Sequence, residues 1–336
     1  MMQPTHLKFG VAWGLLAIPI AVYTGLVPSL GEDFRYEDMI YVLIGLYACL
    51  KGALFGSEFP DTDHPTSIPA RKHPLLAKIY IIGRNITGES GGSNGKLKKK
   101  WFAHRGIMSH DYLVHLILWG TLLFGATLLG NFVMEEIATG NNSIILMVYV
   151  SVIIIMWSLV GDVVNLTNYV MNKLGTKFNA NKLAYRLGLF GFAIVIVVSV
   201  LSKNFGGTAV DLVTGNLDLA TASLIAMWFF YAVKLFIIFT FVGCVSHLFG
   251  DMITVSGVYL ATIQIKPMSM FKILTKIPGL NLAFDGFRTG GPWEKLNNGI
   301  ITVVIVPAAI LAVMSVFGWN IDAFVELPNF IKAMKG

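Results

Sequence analysis

Charged residues are scarce in this chain. Only 13% of its 336 residues are Asp, Glu, Lys or Arg, whereas 55% are hydrophobic. A soluble domain carries roughly 25% charged residues, and the mean hydropathy of this chain is +0.69. These values exclude an ordinary soluble domain and indicate a polytopic membrane protein.

Cysteine is also nearly absent. Cys49 and Cys244 lie in apolar segments and belong to no CxxC pair, which excludes a disulfide framework and a Cys-based zinc site. The HExxH motif of many metalloproteases is missing as well, so an intramembrane metalloprotease lacks its usual signature. The net charge of +6 comes from basic residues in loops beside apolar segments. The positive-inside rule explains that placement, so we expect no nucleic-acid partner.

Long runs without charge dominate the sequence instead. If His is not counted, 23 uncharged residues separate Lys8 from Glu32, and 26 separate Lys295 from Asp322. About 20 apolar residues suffice to cross a bilayer. We predict an all-α, polytopic helical membrane protein with about 7–8 transmembrane helices, in one domain that covers residues 1–336. The predicted helices lie at about 9–28, 39–56, 110–130, 143–165, 185–202, 219–241 and 299–318.

The charges of the connecting loops predict the orientation. The 57–109 loop holds nine basic residues against four acidic ones and is predicted to be a cytoplasmic basic loop, with a flexible insertion at about 66–103. The segment 264–298 is predicted to be a cytoplasmic or interfacial loop. Two crossings within 219–263 would place three lysines of the 264–298 loop on the outer side, against the positive-inside rule. We therefore predict one span ending near 241, followed by a bent, re-entrant or interfacial helix at 242–262.

Four groups of ionisable residues border the predicted spans at this cytoplasmic face. They comprise Thr5-His6 and the segments 58–67, 104–111 and 247–254. Three of them have simple alternative explanations. His247 and Asp251 are spaced as a hydrogen-bonded core pair, Pro60 to Asp63 as an Asx turn, and His104 and His110 are placed as interface residues that contact headgroups. Imidazoles and carboxylates are also the ligands of catalytic divalent metals. One metal centre accounts for all four groups together, because such side chains are costly at membrane depth unless paired.

The set of motifs resembles a known family. The motifs are Thr5-His6, P-D-x-D-H at 60–64, H-R-G-x-x-S-H at 104–110, H-x-x-x-D-x-x-T-x-x-G at 247–257, and Arg288-Thr289-Gly290 with Glu294. In order and type these resemble the YdjM-like family of LexA-regulated, membrane-bound metal-dependent hydrolases. The chain departs from that pattern in having Asp111 where Ser or Thr is usual, a longer basic insertion and more spans.

The resemblance implies a metal-dependent hydrolase in the bacterial inner membrane, distantly similar to zinc-dependent phospholipase C. It implies one or more divalent ions, Zn²⁺ first and Mn²⁺ or Fe²⁺ as alternatives. The implied ligands are His6, Asp61, His104, His110, His247 and Asp251, with Asp63 and His64 as further ligands or as groups that orient them.

Metal-activated water would then cleave a phosphoester in a lipid or lipid-linked substrate. Arg105 and Arg288 are the candidates for phosphate contact, and Glu58 or Glu294 for the general acid or base. Two alternatives stay open: a metal or ion transporter, and a non-catalytic membrane protein with a structural metal. The sequence does not indicate an oligomeric state.

Overall fold

The computed structural model describes residues 3–30, 36–88, 101–102, 105–141, 144, 219–252, 258–261, 263–265 and 292–318. The predicted spans at 143–165, apart from Ile144, and at 185–202 lie outside these residues. So do two candidate site residues, His104 and Arg288.

Helices make up most of the described chain. In chain order they are α1 (Gln3–Tyr23), α2 (Tyr36–Glu58), a 3-10 helix (Phe59–Asp63), α3 (Ile68–Lys72), α4 (Pro74–Thr87), α5 (Ile107–His110), α6 (Tyr112–Ala138), α7 (Leu219–Met252) and α8 (Pro292–Val316). Of these, α1, α2, α6, α7 and α8 contain segments long and apolar enough to cross a membrane. The predictions of a mostly helical chain and of a membrane protein are therefore confirmed.

The predicted break near residue 241 is wrong. Helix α7 continues to Met252, because the apolar sequence through this region contains no proline to interrupt the backbone hydrogen bonds. After it, β1 (Val258–Leu260) and β2 (Ile263–Ile265) form an antiparallel hairpin with Val258 opposite Ile265. Of the segment predicted as a helix at 242–262, residues 242–252 continue α7 and residues 258–260 form β1 instead.

Small residues allow the helices of the core to approach closely. Helix α1 packs against α2 and α8. Gly52 and Gly56 of α2 face the backbone of α7 at Phe236 and Thr240, and Gly10 and Gly14 of α1 face α2. These close contacts form within one chain.

The chain divides into two compact units. One comprises residues Met1–Gly125 and Tyr231–Gly336, and the other Ala126–Phe230. The first has a core formed by apolar residues of α1, α2, α7 and α8, including Cys49, Ala53 and Phe239. The second has a smaller core that includes Val133, Ile137 and Ala226. Every described residue of the candidate site belongs to the first unit.

Candidate metal centre

The ends of four long helices carry the candidate ligands. His6 lies in the first turns of α1, Asp61 in the 3-10 helix after α2, and His110 immediately before α6. His247 and Asp251 occupy the last two turns of α7. Because successive spans run in opposite directions, the start of α1 and of α6 meets the end of α2 and of α7. Asp61 is half-buried, and the other four side chains are buried.

These five residues form two overlapping groups with the composition of a metal site. His6, Asp61 and His247 make one group, and His110, His247 and Asp251 the other. In each group the possible ligand atoms lie within 4.8 Å of one another. The two groups share His247, so together they define one compact cluster of three imidazoles and two carboxylates.

The distances in the cluster suit ligands of a common ion. His247 Nε2 lies 3.6 Å from Asp251 Oδ2 and 3.7 Å from Asp61 Oδ1, and His110 Nε2 lies 3.2 Å from Asp251 Oδ2. Nitrogen and oxygen atoms bound to one tetrahedral ion at 2.0–2.2 Å would be about 3.4 Å apart. The first two distances are too long for hydrogen bonds, and all three are compatible with atoms that share one ion.

Ser57 fixes the orientation of His247. The Nδ1–H of His247 donates to the Ser57 carbonyl oxygen over 2.7 Å, which leaves the lone pair on Nε2. That nitrogen and Nδ1 of His6 are buried and make no hydrogen bond among the residues that the structure describes. A buried polar atom without a partner is costly, and a bound cation would provide one for His247 Nε2. The two rings stack with centroids 3.8 Å apart, which disfavours protonation of both, because two imidazolium rings would repel each other.

Ser109 and Asp63 orient His110 in the same way. The Ser109 hydroxyl donates to Asp63 Oδ2 over 2.6 Å, and its oxygen lies 2.8 Å from His110 Nδ1. Nδ1 therefore donates to Ser109, and the lone pair lies on Nε2, on the side of Asp251. Burial lowers the pKa of His110, although the nearby carboxylates of Asp251 and Asp63 oppose this. The lowered pKa keeps the imidazole neutral, as a metal ligand must be.

The Asp251 carboxylate is at the centre of the cluster. Its Oδ1 lies 3.3 Å from Arg105 Nη2 and 3.6 Å from His6 Nε2, while Oδ2 faces His110 and His247. Asp61 adds a second carboxylate to the cluster, and the guanidinium of Arg105 adds one positive charge beside it. The cluster is thus net negative, which suits a divalent cation.

Arg105 is held by its backbone as well as by its side chain. Its N–H donates to Asp63 Oδ2 over 2.8 Å, and its φ of 57° lies in the left-handed region. That conformation is uncommon for a residue with a side chain. The backbone bond to Asp63 stabilises it, and the guanidinium thereby reaches Asp251 from the edge of the site.

Four other predicted site residues belong to neither of these two groups. Glu58 forms an ion pair with Lys72, with Oε1 2.6 Å from Nζ, and His64 Nδ1 lies 3.1 Å from Thr66 Oγ1. Asp63 orients His110 and Arg105, one of the two roles predicted for it. Glu294 is buried in the first turn of α8. Neither ligand group includes any of these four. His104 and Arg288 lie outside the described residues.

Sequence reasoning missed the residues that support the ligands. His115 is fully buried and its Nε2–H donates to the Ser109 carbonyl over 2.9 Å. Arg84, counted as one of the basic loop residues, is buried and donates through Nη2 to the Asp63 carbonyl. Ser109 lies within the H-R-G-x-x-S-H motif, and that motif was the one sequence signal that pointed to a supporting residue. Arg84 and His115 carry no signal in the sequence, because their contacts depend on how the chain folds.

Asp111 has a structural role. Its Oδ1 accepts hydrogen bonds from Leu113 N over 2.8 Å and from Ala261 N over 3.2 Å. The first satisfies a backbone N–H at the start of α6, and the second connects α6 to the turn of the hairpin. At this position the resemblance led us to expect Ser or Thr, which accept similar bonds.

Comparisons with protein-family models, with curated proteins and with solved structures return no match for this chain. Membership of the YdjM-like family therefore stays a prediction that rests on the motifs. The functional argument depends on the geometry of the site.

Proposed function

We propose that this protein is a membrane-bound, metal-dependent hydrolase that cleaves a phosphoester in a lipid or lipid-linked substrate. The observation that carries the proposal is the cluster of His6, Asp61, His110, His247 and Asp251 at the ends of membrane-spanning helices. Its imidazoles and carboxylates are the donors that Zn²⁺ takes in catalytic sites, and Mn²⁺ or Fe²⁺ fit the same set.

The cluster would hold one or more divalent ions. A bound ion supplies a water ligand whose pKa falls towards ~7 and a positive charge beside a phosphoryl oxygen. The chain's own contribution is to keep the ligands in position. Ser57 fixes the ring of His247, and Asp63 with Ser109 fixes that of His110. Such supporting contacts are known to tune metal affinity and ligand basicity.

Arg105 is the residue best placed to contact the substrate. Its side chain is 13% exposed, whereas that of Asp251, with which it pairs, is 0% exposed. The guanidinium thus lies between the cluster and solvent, and its planar fork matches a phosphate group. The Asp61 side chain is 22% exposed, which gives the cluster a second point of access, at the 3-10 helix that follows α2.

The position of the site favours a lipid substrate. Candidate spans end at Asp63 and Met252 and begin at Thr5 and Tyr112, so in a membrane that these helices cross the cluster would lie near headgroup depth. The loop charges predict that this face is the cytoplasmic side of a bacterial inner membrane. A phosphoester in a lipid headgroup would reach the cluster without leaving the bilayer.

A turnover experiment tests the proposal. Protein purified in lipid nanodiscs is stripped with chelator, reloaded with Zn²⁺ or Mn²⁺, and incubated with phospholipids, diphosphate lipids and soluble phosphoesters, and products are followed by mass spectrometry. We expect a metal-dependent product that His247→Ala and Asp251→Asn abolish. Metal binding without product from any of these substrates would contradict the hydrolase.

Arg105 variants separate substrate contact from metal binding. Arg105→Gly removes the guanidinium while accepting the positive φ, because glycine adopts that conformation without strain. We expect it to keep the metal and to lose turnover, with Arg105→Lys intermediate. Equal loss of metal and turnover in Arg105→Gly would instead assign the guanidinium to holding Asp251.

A structural metal is the second candidate, and the burial of the cluster favours it. His110, His247 and Asp251 are fully buried, and structural sites are closed by protein ligands. In that case the metal stabilises the protein, no substrate turns over, and the ion exchanges slowly. A transporter would instead show metal flux in proteoliposomes that His247→Ala abolishes.

A further inference from the structure

Helix α4 has two faces of different character. Ala77, Tyr80, Gly83 and Arg84 are buried against the rest of the first unit. The opposite side carries four large aliphatic side chains whose exposed fractions are 74, 59, 56 and 80%. In chain order these are Leu75, Ile79, Ile82 and Ile86. Their spacing of four, three and four residues places them in one stripe along the helix.

This stripe belongs to a helix that does not cross the membrane. Helix α4 has 14 residues and is therefore about 21 Å long, shorter than the ~30 Å of hydrocarbon. It is also separate from the five candidate spans. A row of four exposed aliphatic side chains on a short helix is unusual for a surface in contact with water, and it is typical of helices that lie in the membrane interface.

The buried face fixes α4 to the end of a span. Arg84 donates to the carbonyl of Asp63 and, through Nε, to that of Tyr80 over 3.3 Å. Asp63 is the last residue of the candidate span Met39–Asp63. Phe102 packs against Gly83 on the same face. Helix α4 is thus anchored where the chain leaves the hydrocarbon, which is the depth at which an interfacial helix lies.

Basic residues flank the apolar stripe. Arg71 at the end of α3 and Lys78 within α4 are both exposed. Cations beside an apolar face favour a surface with anionic headgroups, and lysine can bury its aliphatic stem while its ammonium group stays in water.

We propose that α4 is an interfacial helix whose stripe of Leu75, Ile79, Ile82 and Ile86 inserts beneath the headgroups of an anionic lipid surface. The proposal does not depend on hydrolysis or on bound metal. It assigns the outer face of α4 to lipid, while the inner face, through Arg84, supports the segment that carries Asp61 and Asp63. The membrane would thereby help to hold one side of the candidate metal centre.

Quenching by spin-labelled lipids tests the proposal. Ile82→Cys and Ile86→Cys are labelled with bimane in full-length protein in nanodiscs that contain phosphatidylcholine and phosphatidylglycerol, with and without doxyl-labelled lipid. Asn85→Cys is the matched control, because Asn85 is exposed on the same helix but lies outside the stripe. Cys49 and Cys244 are fully buried, and unsubstituted protein carried through the same labelling measures any background.

We expect doxyl lipid to reduce the emission from positions 82 and 86 strongly and from position 85 much less. We also expect the loss at 82 and 86 to become smaller when phosphatidylglycerol is omitted. Equal quenching at all three positions, or none, would overturn the proposal. Disulfide crosslinks between copies through Ile82→Cys, without lipid quenching, would overturn it as well, since the stripe would then be an interface between protein molecules.

Discussion

The Ser109 hydroxyl donates to Asp63 Oδ2 over 2.6 Å. The Oγ of Ser109 in turn accepts a hydrogen bond from His110 Nδ1, which lies 2.8 Å away. This chain of contacts places the lone pair of His110 on Nε2 and fixes the plane of its ring. Asp63 also accepts from the backbone N–H of Arg105, so one carboxylate positions two groups of the candidate site.

Ser109→Ala should weaken metal binding without unfolding the protein. Loss of a contact that orients a ligand typically lowers metal affinity by about 10–100-fold. Isothermal titration of Zn²⁺ into chelator-treated protein measures the change. The control is Ser246→Ala, because Ser246 is also fully buried but its hydroxyl donates to the Gly243 carbonyl within its own helix. Equal affinities in Ser109→Ala and Ser246→Ala would exclude the orienting role.

The charge of Asp251 should matter more than its shape. Asp251→Asn keeps the size of the side chain but removes the negative charge that faces Arg105, His110 and His247. We expect a loss of metal affinity larger than the ~100-fold upper limit typical of supporting residues. Metal content after gel filtration, measured by mass spectrometry, reports it.

Asp111→Asn is the matched control for Asp251→Asn. Asp111 is equally buried, but its oxygen accepts backbone N–H groups of Leu113 and Ala261, which an amide oxygen can also do. Asp111→Asn should therefore keep its metal. If both variants lost metal to the same extent, the effect would come from general disruption of this region rather than from a ligand.

The sequence predicted that the ionisable groups at 5–6, 58–67, 104–111 and 247–254 converge, because each borders an apolar run. Alternation of the spans then brings the ends of such runs together. The resemblance selected the individual ligands within them, among them His6, Asp61, His110, His247 and Asp251. The sequence could not predict that His247 contacts the carbonyl of Ser57 or that Arg84 contacts the carbonyl of Asp63. Every residue has a backbone carbonyl, so residue type does not indicate which one a side chain from another helix will contact. Helix α4 was missed for a related reason: its apolar stripe is too short to resemble a span and was included in a basic loop.

Metal removal should destabilise the protein. Any ligand that binds only the folded state raises the free energy of unfolding, by about 2.7 kcal/mol when its concentration is 100 times Kd. Thermal unfolding in nanodiscs, followed by differential scanning fluorimetry, should show a lower Tm after treatment with chelator and recovery with Zn²⁺. In His247→Ala the Tm should not respond to metal. A response as large as that of the unsubstituted protein would place the bound ion elsewhere in the chain.

Close packing of α2 and α7 should be necessary for the site, because Gly243 lies one helical turn before His247. A Cβ at Gly243 would collide with the carbonyl oxygen of Ala53, a backbone atom that cannot rotate away. Gly243→Ala should therefore lower the free energy of unfolding by roughly 1–3 kcal/mol and reduce metal affinity, since the shift of α7 would move His247 away from Ser57.

Gly120→Ala is the control: a Cβ there meets no atom within 4 Å, so alanine should leave metal binding unchanged and stabilise α6 by about 0.5–1 kcal/mol. If Gly243→Ala bound metal as tightly as Gly120→Ala, the spacing of these helices would not determine where His247 lies.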